Sequence, residues 1–143
     1  MSQTIRLIVV PDDSPPVMAA STAYHSLAAR TEVTCYNSLP GSEENLIARI
    51  ADAEIVVNIR ASTKFTADVF RRCPRLRLLS VWGTGTDHID LQAAAQGGVK
   101  VTTTPGVSAV AIAEHSLALM MAVARRIARL DAETRPENGR AAK

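Results

Sequence analysis

Short runs of consecutive apolar residues alternate along this chain with longer segments whose apolar residues recur at helical spacing, and that alternation sets the first expectation of the fold. Ile5-Arg6-Leu7-Ile8-Val9-Val10 is almost continuously apolar, as strands covered on both faces are. Pro11-Asp12-Asp13-Ser14-Pro15-Pro16 stops it. A helix is expected from about Val17 to Ala29, and a second strand from Glu32 to Tyr36. After the Pro40-Gly41 turn, Ser42 is an N-cap with Glu43 and Glu44 set against the helix dipole, and the helix that follows presents Leu46, Ile47 and Ile50 on one side. Ile55 to Ile59 reads as the third strand, and Thr66 caps a short helix with Val69 and Phe70 inward. Leu76 to Val81 is the fourth strand; Asp90 caps a helix from Leu91 to Gln96, Gly97-Gly98 stops it, and Val99 to Thr102 is the fifth strand.

Strand and helix alternate throughout, which predicts an α/β fold: a parallel sheet with helices on both sides and right-handed crossovers, in the flavodoxin-like order 2-1-3-4-5. The last element is of another kind. From Val110 to Leu130 a long helix is expected whose centre, Leu117 to Ala124, has no polar face. A helix apolar all round must be covered all round, either as a core helix of this domain or as an interface helix. The predicted organisation is a flavodoxin-like domain over 1–108, the long helix over 109–135, and a polar, disordered tail over 136–143.

Composition narrows the function classes. At 143 residues and 47% hydrophobic content the chain has the size and the apolar material of one domain. A net charge of +2, from 16 basic and 14 acidic residues, provides no basic excess for nucleic acid. The cluster Arg71, Arg72, Arg75 and Arg77 reads as a solvated helix end. Cys35 and Cys73 have neither metal-site spacing nor a secretory signal beside them, and are expected to be reduced thiols in a cytoplasmic protein. The longest apolar run falls far short of the ~20 residues that span a bilayer.

The candidate chemistry centres on Leu78-Leu79-Ser80-Val81-Trp82-Gly83-Thr84-Gly85-Thr86-Asp87-His88-Ile89-Asp90. A strand that ends in a Gly-rich turn exposes backbone N–H groups where a parallel sheet binds its ligands, which suggests an anion site. A dinucleotide fingerprint would need a third glycine three residues after Gly85; His88 stands there. Asp87 and Asp90 read as turn and capping residues. His88 and His115 are the residue type for acid–base work, but neither has an obvious carboxylate orienter in the sequence. Asp12 and Asp13 after the first strand would suit a phosphorelay receiver, yet Asn58 and Ile59 stand where its acceptor aspartate belongs.

Three blocks occur in one order: Val57-Asn58-Ile59-Arg60-Ala61-Ser62-Thr63-Lys64, the Trp82 to Asp90 turn, and Val101-Thr102-Thr103-Thr104-Pro105-Gly106 through Ala113-Glu114-His115. Together they resemble the substrate-side domain of the D-isomer-specific 2-hydroxyacid dehydrogenases, from the first strand to about Arg135, which is less than half of a family member. The resemblance implies that the backbone amides of Thr84 and Gly85 hold a substrate carboxylate, with Arg60 and Lys64 lending positive charge. Read from its position alone, Arg60 is also simply a surface arginine at a strand end. Ser108 stands where many relatives carry an asparagine near the substrate, and Trp82 where they have a smaller residue. It further implies NAD(P) as the family's cofactor, a small 2-hydroxy or 2-oxo acid as ligand, and homodimer contacts through the Val110–Leu130 helix. The family's catalytic arginine, glutamate and histidine, and its nucleotide motif, all lie beyond these residues. The expectation is therefore a truncated or split dehydrogenase that carries no catalytic residue of its own, binds no coenzyme by itself and is inactive alone, with a separate nucleotide-binding chain as one source of the missing half. The alternative is a non-catalytic carboxylate-binding or docking module.

Overall fold

Every position of the strand Leu7–Val10 (β1) is apolar, and the sheet buries residues from both of its faces. The computed structural model describes residues 7–135; the first two residues of the expected opening strand, and the tail expected over 136–143, lie outside the described residues. The strands that follow are Glu32–Cys35 (β2), Ile55–Asn58 (β3), Leu78–Val81 (β4) and Lys100–Thr102 (β5), all parallel to their neighbours in the order β2-β1-β3-β4-β5. That is the predicted topology. Register couples Ile8 to Ile55 and Val9 to Val56, and Ile55, Val56, Val57 and Asn58 to Leu78, Leu79, Ser80 and Val81.

Alternation along the strands divides the apolar material into two layers. Val9, Val56, Leu79 and Val81 face a core with Leu46, Ile47, Ile50, Phe65, Val69 and Phe70. Those residues come from the helices Glu43–Ile50 (α2) and Ala67–Arg72 (α3) and the loop before α3, and Ala94 of Leu91–Gln96 (α4) joins the same core. Ile8, Val10 and Val57 point the other way, toward Met18 and the half-buried Tyr24 and Leu27 of the helix Thr22–Ala28 (α1).

The helix starts follow the caps read from the sequence. Ser42, Thr66 and Asp90 each accept a hydrogen bond from the third residue of their helix. The Thr66 hydroxyl also donates to Glu43 (2.7 Å), and the Arg72 guanidinium meets both Glu44 oxygens (2.6 and 2.8 Å), so α2 and α3 are joined side by side.

Two expectations are corrected. The first helix does not begin at Val17 but at Thr22, because the Asp13 carboxylate takes the N–H groups of Val17 and Met18 (2.7 and 2.9 Å), and Ser21 provides the cap. Residues 17–21 are thereby held as a turn with Met18 buried. The helix expected over 110–130 is two helices, Ala109–Ala124 (α5) and Ile127–Thr134 (α6), with Arg126 left-handed at φ 52° between them. No glycine or proline marks that break. It falls where the all-apolar run gives way to Arg125 and Arg126, and the last turn of α5 closes through the amides of these two residues onto Met121 and Val123.

The chain divides into two compact units, 1–105 and 106–143. The five strands and α1 to α4 form the first. In the second, none of the residues of α5 is buried, and Ile112, Leu117, Met120 and Val123 are among the exposed apolar side chains.

Candidate functional site

The carboxyl ends of β1, β3 and β4 converge, and their chemistry begins with a buried acid. Asp12, directly after Pro11 at the end of β1, is fully buried. Its Oδ1 accepts from Ile59 N (2.9 Å), and its Oδ2 accepts from Arg60 N (3.1 Å) and Asn58 Nδ2 (2.5 Å). A carboxylate without water needs such donors. Asn58, the polar residue that closes the apolar run of β3, also donates to Arg60 O (3.0 Å), and its Oδ1 lies 2.7 Å from Nε2 of His88. Asp12, Asn58 and His88 thus form one hydrogen-bonded row from the first strand to the glycine turn. The Asn58 carbonyl in turn accepts from Trp82 N (2.8 Å).

The turn from Gly83 to His88 is anchored at both ends. Thr104 N donates to the Gly83 carbonyl (2.8 Å), and Phe65 N donates to the His88 carbonyl (2.8 Å). Because a peptide's C=O and N–H point in opposite directions, fixing the Gly83 carbonyl on Thr104 turns the Thr84 N–H away from it. Among the described residues neither the Thr84 nor the Gly85 amide has a hydrogen-bond acceptor in the chain. Beside this turn is a cavity of about 340 Å³, lined by Asn58, Lys64, Trp82, Gly83, Gly85 and His88 among others. Trp82 is 40% exposed at its edge.

The residues singled out in the sequence separate here. Gly85 and Lys64 share the cavity, and Thr84 lies between its two lining glycines. Arg60 does not line it: the guanidinium donates to the Pro15 carbonyl (2.7 Å), and Nε is buried without a partner among the described residues. What Arg60 brings to the junction is its backbone. Ser108 belongs to the second unit, where it precedes α5 with no hydrogen bond from its side chain into the helix. His115 lies in α5, also in the second unit.

His88 differs from its sequence reading. It has an orienter after all, an amide backed by a carboxylate rather than a carboxylate itself, and the signal for it was the lone asparagine at the end of a strand. Burial pushes the imidazole below the ordinary value of 6.5 and outweighs the opposing pull of Asp12 and Asp87.

The turn does not fit a dinucleotide. The helix after it begins only at Leu91, and the Asp90 carboxylate accepts from Ala93 N (2.8 Å), so an acid already occupies the end that a pyrophosphate would need. Neither Gly83 nor Gly85 has a positive φ, and a side chain at Gly83 would meet only open space.

Comparison with known proteins gives a consistent answer. The family described as D-isomer specific 2-hydroxyacid dehydrogenase, catalytic domain, matches residues 9–136. The hydroxypyruvate reductase of Thermotoga maritima is 40% identical over 87 residues, which cover 61% of this chain and 28% of that protein. The D-3-phosphoglycerate dehydrogenase of Archaeoglobus fulgidus is 39% identical over 90 residues, 63% of this chain and 17% of that one. Among solved structures, the TT0316 protein from Thermus thermophilus superposes with a TM-score of 0.75 at 31% identity, covering 90% of this chain and 40% of its own. The chain therefore spans well under half the length of the relatives it matches.

The state of His88 has a measurable consequence. A base whose native pKa is depressed binds fewer protons folded than unfolded in the interval between the two values, so stability rises with pH across that interval. The contribution is complete above 6.5 and is lost as the pH falls from there toward the lower native value. Urea midpoints followed from neutrality down to about pH 5 should decline, and the decline should be shallower in His88→Gln. An imidazole titrating at or above 6.5 by NMR would contradict this assignment.

Proposed function

We propose, for a chain that belongs to the D-isomer specific 2-hydroxyacid dehydrogenase family, that these residues form the substrate side of an NAD(P)-dependent oxidoreductase acting on a small 2-hydroxy or 2-oxo acid. One observation carries the reading: the Thr84 and Gly85 amides have no acceptor among the described residues, beside a cavity that Lys64 also lines. Main-chain donors held by the Thr104 and Phe65 contacts need no side-chain ordering to receive a carboxylate. Lys64 adds charge close by. Arg60, tied to Pro15, contributes field rather than contact.

Interconversion of a hydroxy and an oxo acid has three requirements: a grip on the carboxylate, a proton donor or acceptor with positive charge at the carbonyl, and a nicotinamide within reach of the reacting carbon. The cradle meets the first. The other two would come from a nucleotide-binding unit outside these 143 residues, whether in the same polypeptide or in a separate chain. A second reading, a carboxylate-binding module without turnover, draws support from the fact that the cradle and Lys64 lie in one compact unit. In either reading the exposed apolar faces of α5 are a self-association surface, since a helix without a polar face gains by being covered.

Three measurements test this. Titrating the chain with glyoxylate should shift the Thr84 and Gly85 amide resonances saturably, and Lys64→Ala should weaken the affinity by roughly fivefold to tenfold, about 1 kcal/mol; a flat titration would remove the cradle. NADH oxidation with glyoxylate should be absent from the 143-residue chain and appear on addition of a family nucleotide-binding unit, so turnover by the chain alone would refute the division of labour. Light scattering should report a dimer or larger species, and a strictly monomeric sample would reject the role given to α5.

A further inference from the structure

The row Asp12–Asn58–His88 goes beyond what the carboxylate cradle requires. We propose that Asp12 and Asn58 are positioning residues: they hold the His88 imidazole as its Nε2–H tautomer and, through it, set the shape of the turn that presents the Thr84 and Gly85 amides. The inference rests on the reading of that turn as the ligand cradle.

The proton assignment follows from which groups can only accept. Asn58 Nδ2 has two partners, Asp12 Oδ2 and the Arg60 carbonyl. Neither can donate. Turning the Asn58 amide over would set its oxygen against a carboxylate and a carbonyl at 2.5 and 3.0 Å, so its orientation is determined by its surroundings. Its Oδ1 therefore faces His88, and an amide oxygen can only accept. Nε2 of His88 must carry the hydrogen. The carboxylate at the far end has no freedom either, since its two oxygens take three donors, from Asn58 at the end of β3 and from Ile59 and Arg60 directly after it.

His88 is held by its ring on Asn58 and by its backbone carbonyl on Phe65 N, while Gly83 at the other end of the turn is held on Thr104. Between these anchors the segment from Thr84 to Asp87 has, among the described residues, one backbone bond of its own, from Ile89 N to Thr86 O (2.9 Å). Releasing the ring frees the end of the turn whose side chain borders the cavity. The charged groups around the imidazole are Asp12 at the end of β1, Asp87 within the turn, and Lys64, which lines the same cavity from the loop before α3.

The test combines imidazole spectroscopy with a rescue series on the 143-residue chain. In the wild type, 15N–1H correlation of the His88 ring should show a pyrrole-type Nε2 with a slowly exchanging proton and a pyridine-type Nδ1. In Asn58→Leu the ring should revert to a mixture of tautomers. Glyoxylate affinity, read from the Thr84 and Gly85 amides, should fall about tenfold in His88→Leu and recover to within about twofold in His88→Gln, whose amide reaches as far as Nε2 and can donate to Asn58. The wild-type spectrum needs no variant, so it decides the tautomer even if Asn58→Leu does not fold. A protonated Nδ1 with a bare Nε2 overturns the proposal, as does His88→Leu binding glyoxylate like the wild type. Absence of glyoxylate binding by the wild type, with the predicted ring spectrum, would instead overturn the cradle reading and leave the tautomer assignment standing.

Discussion

A single carboxylate removed from water organises the functional end of this sheet. Asp12 could not be buried without donors, and the donors come from the opposite loop: two consecutive amides and one side-chain amide at the end of β3. The arrangement ties the first strand to the third where both leave the sheet, and Asn58 extends the tie to the turn after β4. An apolar pair at these positions would pack but would leave the Ile59 and Arg60 amides without partners. Each such loss costs on the order of 1–3 kcal/mol. The acid is therefore as structural as any leucine in the core, and it also decides which way the loops around the cavity point.

Much of the fold was legible because its signals are local. Apolar runs marked β1, β3 and β4, the breaks before Glu32 and at Gly97-Gly98 marked β2 and β5, and Ser42, Thr66 and Asp90 announced their helices because a hydroxyl or carboxylate at those places satisfies an amide of the first turn. The start of α1 was not legible. The helical pattern does run from Val17, but Asp13 competes for the same amides from before the segment. The break at Arg126 was hidden for the opposite reason: a left-handed residue without glycine carries no sequence mark, and an arginine there adopts it at a cost of about 1–2 kcal/mol.

The site divides in the same way. The glycine turn could be read because backbone donors at a strand end follow from topology. Arg60 could not, since its direction depends on Pro15, which is 45 positions away in sequence. The partnership of Asn58 with His88 spans 30 positions, and no spacing rule would have linked them. Resemblance to a family supplied the chemistry proposed for the Thr84 and Gly85 amides, while only the folded chain gave the histidine its orienter. The two glycines also lack the helix start that a dinucleotide fingerprint uses, since the helix after them begins only at Leu91 and is already capped by Asp90.

The lateral bonds from Thr66 to Glu43 and from Arg72 to Glu44 have an implication for how the unit moves. They brace two neighbouring helices against each other, and α3, at six residues, is too short to persist without outside support. Fraying of one must strip braces from the other. What α3 lacks in length is supplied sideways by α2 and by the core that Val69 and Phe70 share with Leu46, Ile47 and Ile50, so the loop that carries Lys64 runs into a helix held from two directions.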